Sequence, residues 1–180
     1  MTKEKFFETI FKNYVNGKDI VLINIGTNKL AGDSYGPLLG TLLKDKLSVI
    51  YSYGTLDDPI HYKNLEDRVN EIKRLHPNAY MIAVDACFSK NEDNCNIPFI
   101  IDDKGIYPGK GFGKDSFLVG DASIKFCIKE IPYEDSYETL QKEYISKLYF
   151  NAKEAYKMIK RFDNILRKTL KGSDMNVINN

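Results

Sequence analysis

Apolar side chains near the start of the chain recur in three- and four-residue steps, at Phe6, Phe7, Ile10, Phe11 and Tyr14. This spacing predicts an amphipathic helix over the first sixteen or so residues, ended near Gly17 and covering one face of a sheet. The pattern changes at 19–25, Asp-Ile-Val-Leu-Ile-Asn-Ile, to a nearly unbroken β-branched run, the mark of a strand buried on both faces. It leads straight into a loop at Gly26, Thr27 and Asn28. A helix follows, with Asp33 or Ser34 available as its cap, Pro37 in its first turn and Leu38, Leu39, Leu42 and Leu43 on its buried side. Residues 47–53 predict a second strand, 64–76 a second helix through Leu65, Val69, Ile72 and Leu75, and 79–84 a third strand ending at Asp85. A βαβαβ alternation implies parallel pairing with right-handed crossovers, an α/β fold.

The regularity then lapses. Residues 88–96 are polar, and 105–120 hold five glycines and one proline, which predicts a set of loops. Two further strands are predicted at 97–101 and 122–131, antiparallel at an edge of an otherwise parallel sheet. Residues 136–170 read as helix with a break near 144–149, and Gly172 is expected to end it. No repeat, low-complexity tract or linker divides the chain, so a single domain over 1–180 is expected, with an N-terminal helix at 1–17 and a helical segment at 135–170.

Composition narrows the classes of function. With 43% hydrophobic and 28% charged residues the chain can build a core. Its net charge of +1 supplies no basic field for nucleic acid or anionic membrane. The longest charge-free stretches, 34–43 and 47–56, fall short of a membrane span, and the charged N-terminus lacks a signal peptide's apolar segment. A cytoplasmic protein is expected, without nucleic-acid or membrane partners. Three cysteines with no CxxC spacing fit a reducing compartment.

In open parallel sheets the binding crevice lies beyond the carboxyl ends of the strands. Segments 26–37, 54–61 and 85–87 are expected there, which brings Asp33 and Asp85 from neighbouring connections, with Asp57, Asp58 and His61 as second-rank members. Two carboxylates sharing a crevice repel when both are ionised, which leaves an acid beside a base, the minimum equipment for activating water on an amide. The competing reading is that each aspartate caps the element after it. The same two acids would be the ligands of a catalytic divalent metal if one is used. A Cys87/His61 nucleophile pair is a weaker arrangement than a small buried cysteine at a strand end. Gly109, Gly111 and Gly113 follow a turn at Pro108 rather than a strand, and predict a flap bordering the crevice rather than a phosphate cradle. His76 reads as a solvated helix end, and the histidines and cysteines lack zinc-site spacing.

Four ordered motifs carry a resemblance: 25–43 (Ile-Gly-Thr-Asn-Lys-Leu-Ala-Gly-Asp-Ser-Tyr-Gly-Pro-Leu-Leu-Gly-Thr-Leu-Leu), 53–61 (Tyr-Gly-Thr-Leu-Asp-Asp-Pro-Ile-His), Asp85-Ala86-Cys87, and 108–113 followed by 119–123. Together they resemble the YyaC-type sporulation protein family of endospore-forming Firmicutes. That family is similar to the spore germination protease and, more distantly, to the hydrogenase maturation peptidases, which implies a three-layer α/β/α, phosphorylase/hydrolase-like fold with a mostly parallel mixed sheet. The resemblance implies a hydrolase that cuts peptide bonds of a peptide or protein substrate, in the cytoplasm of a sporulating cell or spore. The germination protease has essential aspartates in an Asp-x-x-Gly-Pro loop and at an Asp-Ala motif, places occupied here by Asp33 and Asp85. Thr27, Asn28, Gly54, Thr55, Asp57, His61, Gly109 and Gly111 are expected to bind substrate. Both histidines precede Asp85, so the third metal ligand of the maturation peptidases has no counterpart. No cofactor is expected unless that metal is present. The alternative from a different class is a peptide- or ligand-binding regulator of sporulation without turnover.

Overall fold

The computed structural model describes residues 1–89, 91–109, 116–129 and 137–177. Helix α1 (Lys3–Val15) leads into β1 (Ile20–Asn24), and a 3-10 turn (Ala31–Ser34) opens α2 (Tyr35–Leu43). Then follow β2 (Ile50–Tyr53), α3 (Leu65–Leu75), β3 (Tyr80–Ser89), α4 (Glu92–Asn96), β4 (Ile100–Asp102), β5 (Ala122–Lys129) and α5 (Tyr137–Val177). The five strands form one sheet in the order β2-β1-β3-β5-β4. All pairings are parallel except β4 with β5, the antiparallel edge anticipated from the sequence.

Strand alternation divides the sheet's apolar side chains between two helical layers. Ile20 and Leu22 of β1, Ile82 and Val84 of β3, and Ile124 and Phe126 of β5 pack with α1, α2 and α5 through Phe6, Leu39, Ile159 and Phe162. Val21, Ile23, Met81 and Ala83 pack on the other face against Leu65, Val69 and Ile72 of α3. Both sides of β1 are therefore dry, which is why its sequence is an unbroken apolar run. The result is a three-layer α/β/α arrangement. Tyr35 stacks on Phe126 at 4.6 Å between ring centres, fixing the start of α2 over the middle of the sheet.

Helix α5 is locked to the opposite end of the sheet by a buried carboxylate. Asp163 accepts the backbone N–H groups of Ser48, Val49 and Ile50, at 2.8–3.1 Å for its closest bonds to the last two, just where β2 begins. The break expected near 144–149 is absent, because Leu148, Ala152 and Ala155 continue the buried stripe without interruption. Gly172 does not end the helix either; one glycine costs only about 1 kcal/mol relative to alanine. The second strand is shorter than 47–53, the fourth strand shorter than 97–101, and β3 runs five residues past its expected end at 84. Residues 110–115, with Gly111 and Gly113, lie outside the described residues, as do 130–136.

Candidate functional site

The strand order creates a crevice. From β1 the chain crosses by α2 on one face to β2, then returns by α3 on the opposite face to β3 on the other side of β1. Crossovers that diverge in this way leave a gap beyond the carboxyl ends of the two strands between them. Pairing of β1 with β3 ends at Asn24 and Val84, where the Ile25 N–H donates to the Val84 carbonyl at 2.7 Å. There β1 turns away, while β3 continues to Ser89 with β5 as its partner. Asp85 is the first residue of β3 past the end of β1. It thus projects from within a strand and not from a loop after it, a correction that comes from β5, which pairs with β3 as far as Ser89.

The loop from Gly26 to Ser34 folds back on itself. Gly26 N–H donates to Ile60 O at 2.8 Å, Thr27 N–H to Asp33 O at 3.0 Å, and Ser34 Oγ to the carbonyls of Thr27 and Leu30 at 2.9 and 2.8 Å. Gly26 has φ 141°, and a Cβ there would overlap the Asp33 carbonyl, so only glycine lets the loop close. Asp33 lies within the 3-10 turn that this closure builds. Ser34 occupies the N-cap position of α2, yet its hydroxyl donates to loop carbonyls and makes no cap bond. Asp85, inside a strand, caps no following element.

Burial pushes the Asp85 carboxyl well above the usual carboxylate range, and the negative charge of Asp33 pushes it further. A hydrogen bond from the Ala86 N–H to Asp85 Oδ1, 2.8 Å, opposes both. Asp85 retains some exposed surface, so the crowding is local to its carboxyl and not that of a sealed core. Lys125 stands opposite Asp85 in the register of β5, but its ammonium is bonded to Asp102 at 2.7 Å. The two acids found in the sequence therefore interact, and one of them is held toward its protonated form.

The other expected site residues are placed less uniformly. Thr27 is bonded directly to the Asp33 backbone, and the exposed Asn28 bridges to the second loop by donating from Nδ2 to Leu56 O at 3.0 Å. Gly54 turns with φ 87° against the Asn24 carbonyl and the α2 glycine Gly40. Thr55 holds the next turn through Asp58, Asp57 is exposed, and Asp58 is paired with Arg68 at 2.6 Å. Gly54, Thr55 and Asp58 line a groove of about 390 Å³ along the β2 edge, with Tyr51, Tyr53 and Arg68; Asp33 and Asp85 are not among its lining residues. His61 has a buried Nδ1 without a hydrogen-bond partner among the described residues. Gly109 turns with φ 82° and is half-buried.

One further expectation is corrected. His76 is not a solvated helix end: it is buried, with Nδ1 2.7 Å from Asp19 Oδ2 and Nε2 2.8 Å from the Tyr53 hydroxyl. Cys87 meets a second cysteine, Cys127, at 3.2 Å between sulfurs. Neither Cys127 nor Lys125 stands out in the sequence, because only the β3–β5 register brings them beside Cys87 and Asp85. Among the described residues no group of three or more His, Cys, Asp or Glu side chains is placed to hold a metal ion. Likewise, no helix among them is long and apolar enough to cross a membrane.

No solved structure matches the chain. A protein of Bacillus subtilis (strain 168) described as "Uncharacterized protein YyaC" is 45% identical over 109 residues, which are 60% of this chain and 52% of that protein. The chain thus spans about half the length of that relative, and the resemblance carried by the four motifs holds at this level. The profile of the family described as "Protein of unknown function (DUF1256)" matches residues 1–161, and the chain belongs to that family.

Proposed function

We propose that this chain is a hydrolase of the aspartate-pair type, cutting peptide bonds in a sporulating cell or spore. One observation supports the reading: burial and the charge of Asp33 both raise the Asp85 carboxyl well above the ordinary range, the separation of an acid from a base that this chemistry needs. The motif resemblance to the spore germination protease supports a peptide or protein substrate. In this mechanism the Asp33 carboxylate takes a proton from water as its oxygen attacks the amide carbonyl carbon. Asp85 gives its proton to the departing nitrogen as the tetrahedral intermediate collapses. Passage of the water's proton from Asp33 to Asp85 restores the pair. No step here passes through a metal.

Digestion of a synthetic peptide library, read by mass spectrometry, tests the assignment. Cleavage by the unaltered chain is expected, with Asp33→Asn and Asp85→Asn each reducing it by at least about 100-fold while circular dichroism stays unchanged. Undiminished cleavage in either variant would overturn the roles given to that pair. Peptides retained by the protein without any product would replace hydrolysis with ligand binding. Loss of activity on chelation, restored by a divalent ion, would replace the acid pair with metal-assisted chemistry.

A further inference from the structure

Beyond the acid pair, β3 and β5 bring two sulfurs together. Cys87 and Cys127 are register partners on adjacent parallel strands, with their Sγ atoms 3.2 Å apart. Adjacent strands lie about 4.7–4.9 Å apart, inside the Cα separation of about 4.4–6.8 Å that a disulfide accepts. Closing the bond to about 2.05 Å asks for a sulfur displacement of about 1 Å and no change of register. Cys127 is buried, Cys87 is half-buried, and the remaining thiol, Cys95, is buried in α4 with its sulfur 3.7 Å from the Asn91 carbonyl. We propose that Cys87 and Cys127 are a redox-active dithiol that closes to an intrachain disulfide on meeting hydrogen peroxide. The site is independent of the hydrolytic reading, although Cys87 stands two residues beyond Asp85 on the same face of the strand.

The surroundings favour this chemistry. A hydrogen bond from the Cys87 thiol holds Cys127 toward the thiolate, and the ammonium groups of Lys125 and Lys147 act in the same direction, against burial and the neighbouring Cys95. The Cys127 thiolate attacks one peroxide oxygen and the O–O bond breaks. The departing hydroxide takes the Cys87 proton to leave as water, and Cys127 becomes a sulfenic acid. The ionised Cys87 sulfur then attacks Cys127 Sγ; the S–S bond forms, the S–O bond breaks, and the second hydroxide leaves with a solvent proton as water. Peroxide is reduced by two electrons and the thiol pair is oxidised by two.

The test treats the full native chain with stoichiometric hydrogen peroxide, counts free thiols and maps linked peptides by mass spectrometry. Free thiols are expected to fall from three to one, the survivor being Cys95, and to return with dithiothreitol. Cys95→Ser should still form the bond, while Cys87→Ser and Cys127→Ser should each form no intrachain disulfide. Three surviving thiols, a linkage through Cys95, or sulfinic acid on Cys87 or Cys127 without linkage would overturn the proposal. Unfolding the chain in urea before oxidation should abolish the preference for Cys87 with Cys127; an unchanged preference would show that the fold does not create it.

Discussion

At the scale of single residues, Asp85 holds a buried carboxyl next to another acid, with one N–H bond in partial compensation. A carboxyl whose folded pKa is raised contributes stability below its unfolded pKa, about 3.9, and loses it as pH rises through the folded value. At neutral pH Asp85 is therefore a destabilising group. Asp85→Asn keeps an oxygen for the Ala86 N–H and removes the charge. Thermal unfolding followed against pH should give a higher Tm for Asp85→Asn than for the unaltered chain at pH 7, with the gap closing as pH falls toward about 4. Equal Tm values across that range would contradict the raised pKa. Both acids were legible in the sequence because each lies beyond an apolar run that predicts a strand, in a segment expected at the crevice. His76 was not: its partners Asp19 and Tyr53 lie 57 and 23 residues away in the chain, and a histidine closing a helix looks solvated until those contacts form.

Among the elements, helix and strand types followed from apolar spacing, since α1, α2 and α3 each bury one stripe and β1 buries both faces. Lengths that depend on a distant partner did not follow. β3 is long because β5 pairs with it as far as Ser89, and no local pattern at its end announces that partner. Asp163 is another such case. In the sequence it sits beside Phe162 and between Ile159 and Leu166, and no local pattern marks it; in the fold it is fully buried and caps the entry to β2. Replacing it with alanine leaves the N–H groups of Ser48, Val49 and Ile50 without that acceptor at the join between α5 and the sheet. Urea unfolding of Asp163→Ala should show a loss of about 2–3 kcal/mol with little change in m-value. A loss below about 0.5 kcal/mol would mean that α5 is held by its apolar face alone.

For the whole molecule, the alternating strands and helices implied a parallel sheet, but not the order in which its strands lie. That order decides the site. With β1 in the sheet interior and the chain leaving it in opposite directions, the crevice opens between β1 and β3, and the loop from one meets the first unpaired side of the other. Asp33 and Asp85, 52 residues apart in the chain, become electrostatic neighbours through topology alone. The groove at the β2 edge, which takes Gly54 and Thr55, is a separate consequence of the same order. Coupling of the two acids, and the raised pKa of the Asp85 carboxyl, are tested most directly by titrating the Asp85 side-chain carbon by NMR in the unaltered chain and in Asp33→Asn. A titration well above the ordinary carboxylate value of about 3.9 is expected in the first, and a lower one, still raised by burial, in the second. An Asp85 that titrates near the ordinary value, or that is indifferent to Asp33→Asn, would contradict that expectation.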